Sequence, residues 1–254
     1  MPLSLPPYLQ PPAIAAAPVA HAWSQGLAMK ALGPDSSPLE KQLGALSFRA
    51  LLGLAAALSE WIHRRFVTVH DDTQLAALSE AVWAASIDFR YLRTDALAFD
   101  EDDVSPIHGP LQDTKRLLRW ISEIHQEADF GVVRYVRGLA FLVRYVLADD
   151  KGFQQWLKAV VARLPALSAP SARVAGAFDV ARLKTQPRGA VDDIWGTPLP
   201  REAYDPSFDL GIADNALLID ALLIRIAATP NPFLKTPAEL AAAGFTGTPY
   251  RFPA

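Results

Sequence analysis

The chain has 254 residues, a formal charge of −3 and no cysteine, with 51% of its residues hydrophobic and 20% charged. This is the balance of a globular chain long enough to bury a large core. It excludes disulfides, thiolate metal sites and cysteine nucleophiles, gives no global basic field for nucleic acid, and fits a reducing, cytoplasmic setting.

The opening, MPLSLPPYLQPP, reads as a proline-rich arm over residues 1–12, ahead of a single helical domain over 13–254. It has no basic n-region, and prolines interrupt its apolar runs, so it does not read as a signal peptide. A short helix is expected over 13–31, stopping at GPDSSP. SSPLEKQLGALSFRALLGLAAALSEWIHRRF then begins with a serine cap, a first-turn proline and a glutamate, and predicts one helix to about Phe66. Its middle is apolar enough to suggest a membrane span. Arg49 and Glu60 argue instead for a buried helix.

HDDTQLAALSEAVWAASIDFRYLR opens with acids suited to a helix start and predicts a helix to about Arg93. An acidic loop, DALAFDEDDVSP, precedes a helix near 107–128. Gly131 marks a break before VVRYVRGLAFLVRYV, and DDKGFQQWLKAVVARLP predicts a helix ending at Pro165. Val174, Ala177, Phe178 and Ala181 then recur at helical spacing. From 184 to 210, four prolines, two glycines and no sustained period predict a long ordered loop, which Trp195, Tyr204 and Phe208 could pin to the helices. An apolar helix follows in LGIADNALLIDALLIRIAAT, then one short helix and a Pro/Gly/aromatic tail. No strand alternation is evident, so the expected fold is all-α, one domain of about seven to nine helices. LAAALSEW and LAALSEAVW echo each other but set up no third copy, which rules out a solenoid. The six tryptophans, one per segment, read as anchors of one core.

At about 100° per residue, Arg134, Arg137 and Arg144 fall on one face, while Val132, Val136, Leu139, Val143 and Val146 point away. A cationic stripe on an apolar helix must meet an anion or water. The expected partner is Asp88, on a small-residue face with Ala81, Ala84 and Ala85; Glu60, Glu80, Glu123 and Glu127 are further candidates. The competing use of the stripe is an anion pocket.

Catalytic signatures are missing. Glu123 and Glu127 in EIHQE lack the Glu-x-x-His and His-Glu-x-x-His spacings of metal sites. His108, His125 and acids of the DEDD loop are the remaining metal candidates, though surface acids and histidines are usually solvated, and no metal or other cofactor is expected. No phosphate loop, nucleophile elbow or dinucleotide fingerprint is present. The expectation is a non-catalytic protein-binding protein, of the kind that neutralises a toxin as bacterial immunity proteins do. It would dock a cognate basic partner on Asp100, Glu101, Asp102 and Asp103, because clustered charge steers encounter. The alternative is a helical enzyme or ligand-binding protein that grips an acidic small molecule in an arginine-lined pocket.

Overall fold

The computed structural model describes residues 5–24, 26–30, 32–33, 37–99, 103–127, 129, 131–168, 195–211, 214–245 and 250–251. The fold is all-helical. Among the described residues there is no strand, only an isolated bridge between Leu92 and Leu234. No helix there is long and apolar enough to cross a membrane.

The first expected helix is broken in two. α1 spans Pro12–Ala16 and α2 spans Leu27–Lys30. Pro18 supplies no N–H and pushes Ala17 into an extended conformation (ψ 140°), so α1 cannot continue. The helix expected to run unbroken to Phe66 is also two, α3 (Pro38–Leu43) and α4 (Phe48–Phe66). Gly44 closes α3, and Ser47 starts α4 by accepting the Ala50 N–H at 3.2 Å. α5 (Thr73–Ile87) is capped by Asp72, whose carboxylate accepts the Leu75 N–H at 2.9 Å. It ends before Arg93 because Asp88 turns extended and caps the 3-10 turn that follows. α6 (His108–Gln126), α7 (Val132–Val146) and α8 (Lys151–Leu167) match the expected segments, with Pro165 inside the last turn of α8. Beyond it, α9 spans Asn215–Ala227 and α10 spans Pro237–Ala242. Val174 to Ala181 lie outside the described residues.

α4 is the axis. Its neighbours α5, α6, α7 and the arm surround it, and most of its residues are buried. Small residues make that possible: Ala50, Ala55, Ala56 and Ala57 are fully buried and let neighbouring backbones approach. Gly53 has the same role in sharper form, because a Cβ there would sit 2.1 Å from the Tyr204 hydroxyl. Tyr204 comes from the proline-rich segment, where a 3-10 turn (Arg201–Tyr204) drives its ring onto Trp83 at 5.0 Å. Its carbonyl accepts the Trp156 indole N–H at 2.9 Å. Trp195 packs on Phe48 at 5.3 Å, while Phe208 stays partly exposed. The described part of the expected loop, 195–210, is therefore pinned by Trp195 and Tyr204; residues 184–194 lie outside the described residues.

The N-terminal arm is stitched to α4 rather than appended to it. Leu9 is buried, and its carbonyl accepts the Arg64 Nε–H at 3.0 Å; the Ala15 carbonyl accepts the Thr68 hydroxyl at 2.8 Å. Arg65, 1% exposed, donates from Nε to the Val146 carbonyl at 2.9 Å and from Nη2 to the Pro18 carbonyl at 2.8 Å. Val146 ends α7, so the negative end of that helix takes the place of a carboxylate beside the cation.

Candidate functional site

The arginines of α7 go their own ways. Arg137 is buried and pairs with Glu40 of α3, and its other terminal nitrogen donates to the Gly33 carbonyl at 2.6 Å. Arg144 is exposed and pairs with Asp150 at 3.0 Å; Arg134 is exposed. Asp88 joins none of them, since its carboxylate closes locally on Arg90 at 2.5 Å. The extended backbone at Asp88 ends α5 and removes it from the small-residue face the helical spacing implied. Nor do Glu60 and Glu123 serve the stripe; Glu123 faces Arg119 at 3.6 Å on its own helix. Arg137 and Arg144 thus meet different acids, Glu40 of α3 and Asp150 ahead of α8.

A largely buried ion pair lies elsewhere. Glu60 of α4 accepts from Arg201 Nη2 at 2.8 Å and from the Trp83 indole at 2.9 Å, and the Tyr8 hydroxyl lies 3.4 Å from its second oxygen. Burial, then the Glu60 charge, push the Tyr8 phenol well above its usual range, so it remains a neutral donor. Burial works against the Arg201 charge, but Glu60 outweighs it and the guanidinium pKa rises. Arg201 was hidden from sequence reading in a proline-rich stretch with no periodicity to orient it.

His125, a metal candidate by sequence, is 1% exposed and boxed by Phe48, Phe89 and Trp195. Burial, then the nearby Arg49 charge, lower its pKa to about 3, so it is neutral at physiological pH. It does not meet His108. Among the described residues no group of three or more His or acid side chains is placed to hold a metal ion.

A polar cluster open to solvent lies where the turn between α4 and α5 meets the start of α6. His108, Leu111, Gln112 and Lys115 recur at i, i+3, i+4 and i+7, so one face of α6 forms the wall of a cavity of about 290 Å³. At its base Lys115 donates to Asp72 and to Gln74, each at 3.0 Å, and both members of that ion pair are buried. Asp72 thereby caps α5 with one oxygen and neutralises Lys115 with the other. Above it the rings of His70 and His108 meet edge to face, 4.6 Å apart.

Asp103 stands at the rim. One carboxylate oxygen accepts the Ser105 N–H at 2.6 Å, and the other lies 3.7 Å from His108 Nδ1. The Asp103 carbonyl accepts the Trp23 indole N–H at 3.1 Å, and the Ser105 hydroxyl accepts the Ile107 and His108 N–H groups. The end of the acidic run is thus held by its backbone, while its carboxylate keeps part of its surface in water. Asp100, Glu101 and Asp102 lie outside the described residues. Val69 and Val104, the chain neighbours of His70 and Asp103, are 56% and 69% exposed. Sequence reading singled out Asp103 and His108 but not Lys115 or His70, whose meeting depends on how α4, α5 and α6 pack. Comparison of this chain with family models, with curated proteins and with solved structures finds no match.

Proposed function

We propose that this chain is a non-catalytic cytoplasmic binding protein that receives a basic partner protein at the α4–α5 turn and the start of α6, as an immunity protein receives its toxin. The observation that supports it is the placement of Asp103, the last of four consecutive acids, at the rim of a solvent-open cavity beside two imidazoles. A lysine or arginine entering there meets a carboxylate that keeps part of its surface in water. Lys115 does not repel it strongly, because Asp72 already neutralises that charge. Val69 and Val104 add apolar area beside the polar cluster, the mixture that docking surfaces use. The acidic run speeds and orients encounter.

The test is co-expression with the product of the adjacent gene, followed by affinity capture and gel filtration of the pair. A complex is expected, and Asp100→Lys with Asp103→Lys abolishes it. A complex that survives both substitutions unchanged removes the acidic run from the interface.

A further inference from the structure

A second cavity, of about 370 Å³, lies between the arm and the start of α8, and the docking reading makes no use of it. Its arm side carries Tyr8 and Ile14; Trp61 of α4 and Phe153 and Trp156 of α8 line it opposite. These aromatic rings form one block. Tyr8 stacks on Trp156 at 5.0 Å and on Trp61 at 6.0 Å, and Phe153 meets Trp61 edge to face at 5.3 Å. The volume is that of a small-molecule site.

The cavity is largely apolar in its residues, with a single acid, Asp149, among those that line it. Asp149 accepts the Lys151 backbone N–H at 3.1 Å and has no ion-pair partner among the described residues. The contrast with its neighbour is direct: Asp150 takes both Arg144 at 3.0 Å and the Gln154 amide at 2.6 Å. An exposed carboxylate without a cation, at the edge of an aromatic-backed apolar cavity, complements one kind of molecule. From this we infer that the cavity binds a small organic ammonium, its charge beside Asp149 and its apolar body against the arm and the aromatic block. The Asp149 carboxylate favours a cation over a neutral molecule of the same shape. Acidic ligands are disfavoured by the same carboxylate.

The probe is benzyltrimethylammonium, titrated against the full chain by calorimetry and tryptophan fluorescence, with neopentylbenzene as its uncharged isostere. Saturable binding of the cation, at least roughly tenfold tighter than the isostere, is expected, and Asp149→Asn brings the two together. Gly152→Leu adds an apolar side chain at the cavity lining, where a Cβ meets nothing within 4 Å; it weakens binding with an unchanged circular dichroism spectrum. No saturable binding, equal binding of cation and isostere, or binding unaffected by both substitutions overturns the inference. The assay uses no protein partner, so its outcome is independent of the docking reading.

Discussion

Two ion pairs in this molecule look alike on paper and differ in what surrounds them. Glu60–Arg201 and Asp72–Lys115 each join an acid on or beside an early helix to a cation far along the chain, and each is mostly buried. Around Glu60, its oxygens already take Trp83, Arg201 and Tyr8, although Glu60 and Arg201 also line a cavity with His63 and Glu80. Above Lys115 stand two imidazoles and a half-exposed carboxylate that face solvent. The difference teaches that burial of a charge pair does not itself mark function. What marks it is whether the groups beside the pair still have bonding capacity that a visitor can reach.

The largest effect should come from the Glu60–Arg201 pair. Glu60→Ala removes the carboxylate to which the buried Arg201 and Trp83 donate and is expected to cost about 3–5 kcal/mol in denaturant unfolding, whereas Glu60→Met with Arg201→Met recovers most of it. A small loss in the single variant would mean that Arg201 finds another anion, and the contrast between the two regions would collapse. Gly53→Ala probes the same interior by shape instead of charge. Forcing a methyl against Tyr204 is expected to cost about 1–3 kcal/mol, with the loss of Tyr204 shielding read from its fluorescence.

His125 gives a third, pH-dependent probe of the closed interior. Its folded pKa is depressed from 6.5 to about 3, so below pH 6.5 the unfolded chain takes up a proton that the folded chain refuses. Stability therefore falls as pH drops through that window, by at most about 1.4 kcal/mol per pH unit. His125→Phe should flatten this part of the stability profile; an unchanged slope would show that His125 gains a proton without unfolding. The smallest stability effect belongs to the open corner. Asp103→Lys should cost no more than about 1 kcal/mol, the loss of one cap to the Ser105 N–H, and together with Asp100→Lys it should abolish partner capture. A large stability loss instead would class Asp103 with Glu60, as a structural acid.

Much of the helical order could be read from the chain, for reasons that are local. Capping serines and aspartates, the breaks at Gly131 and the apolar periodicity act over three or four residues, so α6, α7 and α8 fall where their patterns put them. Breaks were harder. Ser47 hides inside a run that is apolar on both sides, and only its bond to the Ala50 N–H reveals it as a cap. The arginine stripe shows the limit most plainly: its face could be derived from 100° per residue, but the partners could not.

Spacing along a helix specifies direction around one axis, and an ion pair depends on two axes and the distance between them. The periodicity of this polypeptide was enough to make it all-helical and to place its hydrophobic faces. Only packing around α4 brought Glu40 to Arg137, Glu60 to Arg201 and Lys115 to Asp72, because each pair spans 43 or more residues and no local force acts over that interval.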